Sequence, residues 1–369
     1  MSAVPPAPAG AGRYSIDLAA ALARRDDIDV TLVARRGDRD RWLALAPRGE
    51  VHSVAPGSRP ARLAWEQAGL PRLLRKLPVE VHHSPHYTMP ESSRLPTVVT
   101  IHDLTFFDHP EWHERSKAPL FRRATRVAAR HAAALICVSQ ATADRLGALC
   151  PPEGKVHVIP HGVALDRFSP VPADDDIVLG HLGVRPPYVA FVGTLEPRKD
   201  LPTLVRAFDR VAQAHPDLSL VLAGYDGWGT RSLGRAIEEA SFGDRIVRTG
   251  YLPDAVVPAL LRQAAAVAYP SLEEGFGLPA LEALACGSPL VTTAGSVMEE
   301  IVAGAALLVQ PGDADALAGV LDMLVRGDAG LESRRQRGLA VAARHTWAAS
   351  AAAHVAVYRS VAGLGDRGR

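Results

Sequence analysis

Short apolar runs alternate with longer stretches of helical period along the first half of the chain. β-branched runs bounded by polar or turn residues predict strands at 98–103, 135–139 and 156–160. Helical periodicity predicts helices at 115–132 and 141–149, one between the first two strands and one after the second. This alternation is typical of βαβ units, so the first half is expected to form a parallel sheet.

The same alternation restarts in the second half. Apolar runs predict six strands, at 188–193, 218–224, 245–250, 266–271, 289–293 and 305–310. Amphipathic stretches predict helices at 201–214, near 231–240 and within 254–264, with further helices after the last two strands. A second parallel sheet of similar size is therefore expected.

The two halves predict an α/β fold of two doubly wound, Rossmann-like domains that face a cleft. The expected domains are residues 1–172 and 173–346, and a last helical segment at 347–369 is expected to cross back and complete the first domain. A chain of 369 residues also exceeds the usual size of a single hydrophobic core. In doubly wound sheets, ligands bind where the carboxyl ends of the strands point.

The segment "VPADDDIVLG" at 171–180 is expected to link the two domains, because it is rich in proline and aspartate. Its three aspartates could also form a metal-binding DxD motif. A run of like charges is more often a solvated face, so a solvated connector is the favoured interpretation.

The start of the chain lacks a convincing first strand. Gly10 and Gly12 precede a good helical stretch, but only "MSAVPPAP" stands before them. Prolines at 5, 6 and 8 remove backbone donors, so this segment is a poor central strand. One hypothesis is that the first domain lacks its first strand because the chain is short at its N-terminus.

Composition and charge exclude several classes of protein. The net charge is +1, so no overall field favours nucleic acid. The three cysteines have no CxxC spacing, which argues against a zinc site or a disulfide framework and fits a reducing compartment. No apolar run approaches the length of a membrane span, and the first residues lack the pattern of a signal peptide. A cytoplasmic protein is expected.

The stretch "SLEEGFGLPALEA" at 271–283 carries the clearest chemistry. Gly275 and Gly277 let backbone N–H groups approach a ligand closely, and Pro279 suits the first turn of a helix whose positive end favours phosphate. Glu274, and Glu282 in the helix's first turn, can accept hydrogen bonds from sugar hydroxyls. Phosphate together with hydroxyls describes a nucleotide sugar. The structural alternative is that Glu274 caps the helix and Glu282 complements its dipole.

Two further constellations follow predicted strands. Arg198 and Lys199 in "GTLEPRKD" suit a diphosphate leaving group, although a solvent-facing basic turn is the alternative. His102, in "TIHDLTFF", could bond a sugar hydroxyl or the reaction centre, although a lone histidine at a strand end is more often structural. The basic residues between Arg115 and Arg130 could hold an anionic membrane surface, with a solvated helix face as the alternative.

In their order and spacing, these stretches together resemble the family 4 retaining glycosyltransferases, from about Gly10 to Tyr358. "PSLEEGFGLPALEALACGSPLVTT" (270–293) resembles the E-x7-E region of that family, with Glu274 and Glu282 as its glutamates. The other matching motifs are "VIPHGVALDRFSP" (158–170), "VGTLEPRKDLPTLVRAF" (192–208), "HSPHYTMP" (83–90) and "TIHDLTFFDHPEWH" (100–113). The last two resemble a subgroup that includes mannosyltransferases of surface polysaccharides.

The resemblance implies the GT-B fold and a role for each matched position. Glu274 would contact hydroxyls of the donor sugar, Glu282 would hold the ribose, and His102 would contact the transferred sugar. Arg198 and Lys199 would bind the diphosphate. The remaining donor-binding positions would be Gly12 against the phosphates, main chain at Tyr251 and Leu252 beside the base, and the loop residues Gly275, Phe276, Gly277 and Leu278.

The expected function is transfer of a hexose, with mannose favoured, from a GDP- or UDP-linked donor to a glycan or lipid-linked acceptor hydroxyl with retained anomeric configuration. No metal, cofactor or nucleic acid is expected, and peripheral contact with an anionic membrane remains open. A nucleotide-sugar epimerase of the same fold and a non-catalytic nucleotide-sugar-binding homologue are the alternatives. A nicotinamide-dependent oxidoreductase would need a strand followed by G-x-G-x-x-G, whereas "GAGRYS" lacks the third glycine.

Overall fold

The structure is a computed structural model that describes residues 1–2, 4, 8, 10–114, 117–327 and 330–364. It divides the chain into two compact units. The first unit comprises Met1–Gly162 and Trp347–Arg369, and the second unit comprises Val163–Thr346. In the described part of the chain, no helix is both long and apolar enough to cross a bilayer.

The first unit contains two parallel sheets. Its strands are β1 (Thr31–Arg35), β2 (Glu50–Ala55), β3 (His82–Ser84), β4 (Thr97–Ile101), β5 (Ala134–Cys137) and β6 (Lys155–Val158). Its helices are α1 (Ala11–Ala23), α2 (Arg39–Leu45), α3 (Arg59–Leu74), α4 (Thr105–Asp108), α5 (Lys117–His131) and α6 (Gln140–Leu149), and α15 (Trp347–Val361) joins them from the end of the chain. β1 pairs with β2, and β3 to β6 form a four-stranded sheet in chain order.

The sheet of the second unit has the strand order expected of a dinucleotide-type fold. Its strands are β7 (Tyr188–Val192), β8 (Ser219–Ala223), β9 (Ile246–Gly250), β10 (Ala266–Tyr269), β11 (Leu290–Thr293) and β12 (Leu307–Val309). Its helices are α7 (Asp175–His181), α8 (Leu201–Ala212), α9 (Arg231–Glu239), α10 (Val257–Arg262), α11 (Leu278–Ala285), α12 (Val297–Val302), α13 (Ala314–Arg326) and α14 (Leu331–Arg344). The order β12-β11-β10-β7-β8-β9 is fully parallel, and the direction of winding reverses between β7 and β10.

The predicted α/β class with two Rossmann-like domains is confirmed, and the predicted strands from residue 98 onward are present. β4, β5 and β10 are buried along their whole length, which explains why they occur as continuous apolar runs rather than as alternating patterns. Strands β1, β2 and β3 are not among the predictions. They are short, and β1 and β2 are buried only in part, so their apolar pattern is weak.

The expected solvated linker at 171–180 is correct only in part, because most of its residues are exposed but Asp175 is buried. Residues 175–181 form helix α7, and the Asp175 carboxylate, only 3% exposed, is held by two hydrogen bonds from Arg262, 2.8 Å from Nε to Oδ2 and 2.6 Å from Nη2 to Oδ1. Arg262 also donates to the Ser169 carbonyl. These bonds attach the segment to the second unit, which begins at Val163 rather than at residue 173.

The segment before Gly10, which the sequence predicts to be a poor central strand, lies partly outside the described residues, because residues 3, 5–7 and 9 are not described. Among the residues that are described before α1, none lies in a strand. Val4 is buried with Trp42 and Leu32, and Arg35 donates to the Ser2 carbonyl at 2.9 Å. The leading segment therefore packs against β1 without extending a sheet in the described part.

Candidate functional site

The loops that follow β7 and β10 carry the cations and the first glutamate of the predicted site. These two strands are hydrogen-bonded neighbours, and both loops leave the carboxyl edge of the sheet where the direction of winding reverses. Ligands of doubly wound sheets bind at this point because the two loops diverge and leave a crevice. The strand order thus explains why residues 76 positions apart meet here.

Glu274 is the centre of a buried charge network. Arg198 Nη1 donates to Oε2 of Glu274 at 2.6 Å, Lys199 Nζ donates to Oε1, and Ser271 Oγ donates to Oε1 at 3.0 Å. The side chains of Glu274 and Lys199 are only 10% and 11% exposed. The structure therefore brings together three of the four residues that the sequence predicts as catalytic, and it rejects the interpretation of Arg198 and Lys199 as a solvent-facing basic turn.

Charge keeps the Glu274 carboxyl ionised. Burial alone would raise its pKa, but the positive charges of Arg198 and Lys199, with the hydrogen bonds from Lys199 and Ser271, outweigh burial and lower the pKa to about 2. A carboxylate offers about four lone-pair positions, and these three donors occupy three of them. Glu274 is thus suited to accept a further hydrogen bond and unsuited to donate a proton near neutral pH.

A second carboxylate supports the cations. Arg198 Nε donates to Glu196, whose side chain is buried, and Arg198 Nη1 also lies 3.3 Å from the Glu273 carbonyl. The backbone bond from Leu272 N to Arg198 O, at 2.8 Å, ties the two loops together. Glu196 and Ser271 are not among the predicted site residues, although both stand inside the motifs that carry the family resemblance.

The backbone of the second loop requires glycine at position 277. Gly277 has φ 95° and is the N-cap of α11, and a Cβ there would overlap the sulfur of Met298. Pro279 occupies the first turn of α11, as predicted. Gly277 therefore allows the loop to turn into α11 directly after Glu274, Gly275 and Phe276.

The other predicted residues of this loop and helix lie close to Glu274 in the chain and are mostly buried. Phe276 packs edge-on against the ring of His345, and Leu278 is the first residue of α11. Glu282 lies in the second turn of α11, not in the first, because the helix begins at Leu278. Tyr269 is the last residue of β10. Its pKa is raised well above the ordinary value, first by burial and then by the negative charge of Glu282, so Glu282 lies within electrostatic range of the end of β10.

Tyr251 and Leu252 follow β9, at one edge of the sheet. Tyr251 is 38% exposed and stacks on Tyr225, which follows β8, with ring centroids 4.6 Å apart and planes at 17°. Leu252 is buried. The role of Tyr251 and Leu252 beside a base stays a prediction, and the stacking of Tyr251 on Tyr225 leaves no signal in the sequence pattern.

His102 lies in the first unit, directly after β4. Its Nε2 lies 2.8 Å from the Pro85 carbonyl, which can only accept, so Nε2 carries a proton. Burial lowers the pKa of the ring, which is therefore neutral at pH 7 with Nδ1 as a hydrogen-bond acceptor. This geometry fits the predicted contact with a sugar hydroxyl.

Tyr87 fixes the loop that carries His102. The Tyr87 hydroxyl accepts a hydrogen bond of 3.0 Å from the backbone N–H of Asp103, the residue after His102. Tyr87 is buried and has a φ of 23°, a strained value for a bulky residue. Its hydroxyl and the Pro85 carbonyl tie the loops after β3 and β4 together on both sides of His102. Nothing in the sequence pattern around "HSPHY" indicates this arrangement.

Gly12 is the second residue of α1, and Gly10 is its N-cap with φ 45°. One helical turn after Gly10, the Tyr14 hydroxyl lies 2.9 Å from Thr100 Oγ1 and 2.8 Å from His354 Nε2. The Tyr14 ring packs edge-on against the ring of His102, with ring centroids 4.9 Å apart. These contacts fix the start of α1 next to the His102 loop, so the first unit brings Gly12 and His102 to one region.

The basic residues predicted to meet a membrane are largely engaged within the first unit. Arg122 donates to the carbonyls of Phe106 and Phe107, at 2.7 and 2.9 Å, and Arg123 forms a two-pronged pair with Glu91. Lys117 bonds Glu114. Arg115 lies outside the described residues. Membrane contact therefore stays a prediction, and these contacts do not support it.

Within the described ranges, no group of three or more histidine, cysteine, aspartate or glutamate side chains could hold a metal ion.

Two family models match the chain, one on each half. A model described as "Glycosyltransferase Family 4" matches residues 8–167, and one described as "Glycosyl transferases group 1" matches residues 181–341. The second match contains Arg198, Lys199, Glu274 and Glu282.

Curated proteins similar to the chain include two transferases that align along most of its length. The O-antigen chain mannosyltransferase B of Escherichia coli is 28% identical over 360 residues, which is 92% of each chain. The D-inositol 3-phosphate glycosyltransferase of Actinosynnema mirum is 31% identical over 330 residues, 77% of this chain and 76% of the relative. Among solved structures, HepE of Anabaena in complex with UDP and glucose covers 98% of both chains, with a TM-score of 0.77 at 21% identity.

Proposed function

Because the chain belongs to the glycosyltransferases of family 4, nucleotide-sugar-dependent enzymes of GT-B fold, we propose that it transfers a hexose with retained anomeric configuration. The donor is a nucleoside-diphosphate sugar, and the acceptor is a hydroxyl of a glycan or of a lipid-linked saccharide. The observation that carries this proposal is the charge network of Arg198, Lys199 and Glu274 at the reversal point of the second sheet.

Arg198 and Lys199 bind the diphosphate and stabilise the charge that it gains. Each has more than one N–H donor, so each can bridge Glu274 and a phosphate oxygen at the same time. Because both cations are already held in place by carboxylates, little reorganisation is needed when the leaving group becomes more negative.

Glu274 holds donor-sugar hydroxyls, and it is poorly suited to act as a nucleophile. Retention through two successive displacements would need a carboxylate that attacks the sugar from the face opposite the leaving group. The Glu274 carboxylate is bonded to two cations and has a pKa of about 2, which makes it a weak nucleophile. Front-face transfer fits better: the bond from C1 to the diphosphate oxygen breaks, the acceptor oxygen bonds C1 on the same face, and its proton passes to the diphosphate.

Positioning is then the main contribution of the protein to the rate. His102 Nδ1 accepts a hydrogen bond from a hydroxyl of the transferred sugar, because the Nε2 proton is committed to Pro85. Glu282 holds the ribose hydroxyls, and the backbone N–H groups at 275–277 contact the donor. The proposed reaction includes no resident metal or cofactor, and Arg198 and Lys199 donate hydrogen bonds directly to the diphosphate.

Mannose is the favoured hexose. The support is the full-length similarity to an O-antigen mannosyltransferase, together with the "HSPHYTMP" and "TIHDLTFF" segments. GDP is the favoured leaving group on the same grounds, with UDP as the alternative because the similar HepE structure binds UDP. A surface polysaccharide or its lipid-linked precursor is the corresponding acceptor, and the site of action is the cytoplasm.

A thermal-shift series over nucleoside diphosphates tests the donor. A ligand present at one hundred times its dissociation constant stabilises a protein by about 2.7 kcal/mol, which is a measurable rise in melting temperature. We expect GDP to raise the melting temperature of the wild-type chain more than UDP, ADP or CDP does. No rise with any nucleoside diphosphate would contradict the proposed donor site.

A further inference from the structure

Three arginines of the first unit, Arg35, Arg59 and Arg62, lie within electrostatic range of one another, with the Met1 ammonium and the Glu66 carboxylate beside them, so positive charges outnumber negative ones. Arg59 and Arg62 stand one helical turn apart on α3, and Arg35 ends β1. The Arg62 guanidinium has no hydrogen bond or ion pair with any described residue and interacts with the Glu66 carboxylate only at longer range, and Arg59 is paired with Glu114 at 3.9 Å. Arg35 donates to backbone carbonyls, which leaves its charge unneutralised.

Burial makes this arrangement costly without an anion. Arg62 is half-buried, and its pKa is lowered by burial first and then by the positive charges of Arg35 and Arg59. A partly dehydrated guanidinium beside two like charges is stabilised when an anion binds.

Glu66, one turn beyond Arg62 on α3, adds an unsatisfied acceptor to the same helix face. Its Oε2 accepts a hydrogen bond of 3.0 Å from Thr88 Oγ1, whereas its Oε1 is buried and has no hydrogen-bond partner among the described residues. Glu66 and Arg62 interact electrostatically but are not paired directly. Free donors and a free acceptor on one face are complementary to a ligand that carries both an anion and a hydroxyl.

This face of α3 adjoins the loop of the proposed reaction centre. Thr88, which binds Glu66, follows Tyr87, the residue that fixes the His102 loop. His86, in the same segment, lies 5.8 Å from His102 between ring centroids and within electrostatic range of Arg62 and Arg59. A ligand on Arg62 and Glu66 would therefore be bound next to the proposed position of the transferred sugar.

We propose that Arg59, Arg62 and Glu66 form an acceptor site for a phosphate monoester of a sugar or polyol. The two guanidiniums bind the phosphoryl group, whose charge at neutral pH is between about −1.5 and −2. Glu66 accepts a hydrogen bond from a hydroxyl of the same molecule. The assignment rests on the proposed transfer reaction, for which it names the acceptor class. A soluble sugar phosphate and a phosphate headgroup of a lipid present the same chemistry.

Calorimetric titration of the full chain tests this site. Saturating GDP or UDP is present throughout, so that the diphosphate site of the second unit is already filled. The probes are inorganic phosphate, glucose 6-phosphate, glucose, and phosphatidylcholine vesicles with or without phosphatidic acid. The variants are Arg62→Ala and Glu66→Gln, and Arg123→Ala is the matched control because Arg123 is an exposed arginine of the same unit that is paired with Glu91. Melting temperatures verify that each variant is folded.

We expect Arg62→Ala to weaken binding of inorganic phosphate and glucose 6-phosphate at least about tenfold, as expected for a lost charge-assisted hydrogen bond, with Arg123→Ala unchanged. Glu66→Gln removes a negative charge, so it should tighten inorganic phosphate while reducing the preference for glucose 6-phosphate over phosphate. Binding only to phosphatidic acid vesicles, in an Arg62-dependent way, would support the site and assign its ligand to a lipid.

The proposal is overturned if no phosphate-bearing probe shows Arg62-dependent binding, or if glucose binds as tightly as its phosphate. The assay measures binding without turnover, so it separates the two proposals. Absence of sugar transfer from every donor, with Arg62-dependent phosphate binding intact, would reject the transferase proposal and leave the anion site standing.

Discussion

At the scale of single residues, the structure explains why Glu274 is suited to accept hydrogen bonds, as the sequence predicts, rather than to donate a proton. Its carboxylate is ionised and held by Arg198, Lys199 and Ser271. Arg198, Lys199 and Glu274 could be predicted as site residues because each follows a predicted strand. The hydrogen bonds between them could not be predicted, because they depend on β7 and β10 being neighbours in the sheet.

Replacement of Lys199 by alanine should lower turnover by about a hundredfold to a thousandfold. Loss of a group that stabilises developing charge typically has an effect of this size. Because Lys199 is buried against Glu274, the variant should also lose stability. The measurements are the transfer rate per folded molecule and the melting temperature.

Arg262→Ala is the matched control for that variant. It breaks the buried pair with Asp175, away from the proposed site, so it should lower the melting temperature while leaving the turnover of the folded fraction near the wild-type value. Equal loss of turnover in the two variants would show that Lys199 acts only through stability.

The low pKa of Glu274 predicts how stability depends on pH. Its folded-state pKa, about 2, lies below the reference value of 4.5, so the stabilisation is fully present above pH 4.5 and is lost as the pH falls toward about 2. The difference in free energy of unfolding between wild type and Glu274→Gln should therefore be constant from neutral pH to about 4.5 and shrink below it. Chemical denaturation at a series of pH values measures this difference, and a difference that grows as the pH falls would contradict the account.

At the scale of elements, loops and short helices decide the site, and local sequence patterns describe them least well. Asp175 belongs to an acidic run that looks solvated, yet it pairs with Arg262, which stands 87 positions later in the chain. The Tyr87 hydroxyl reaches the backbone of Asp103 across two loops. Such pairings depend on tertiary contacts, whereas periodicity reports only the face of an element that is buried.

Tyr87→Phe tests the connection between the two loops around His102. The change keeps the ring but leaves the Asp103 N–H without its acceptor, so His102 should be held less well. We expect turnover to fall by about tenfold, a barrier increase of roughly 1.4 kcal/mol, while the dissociation constant of the nucleoside diphosphate stays unchanged. Steady-state kinetics and a separate binding titration measure the two effects.

The control for this variant is Tyr358→Phe, which also removes one tyrosine hydroxyl from the first unit, where the partly buried Tyr358 bonds His83 at 2.7 Å. It should cost similar stability and little turnover. If Tyr358→Phe lowers turnover as much as Tyr87→Phe does, Tyr87 has only a general structural role.

At the scale of the whole molecule, the alternating apolar runs were sufficient to predict two Rossmann-like units of an α/β protein. Unbroken apolar runs such as β4 and β10 are buried on both faces, so composition alone identifies them. The boundary between the units could not be placed by the same means. Its position depends on Arg262 fixing residues 169 and 175 to the second unit, and a bond of that kind leaves no periodic trace in the sequence.

The central claim is sugar transfer from a nucleotide donor by the Arg198, Lys199 and Glu274 network. The most direct test is incubation of the full chain with GDP-mannose labelled in the sugar, together with lipid-linked and soluble saccharide acceptors, followed by chromatography and NMR of the labelled product. We expect GDP release with the label in a new glycosidic bond of retained anomeric configuration, at a rate at least about a hundredfold lower in Lys199→Ala. Label recovered as an isomerised donor, or as donor that binds without reacting, would contradict this claim.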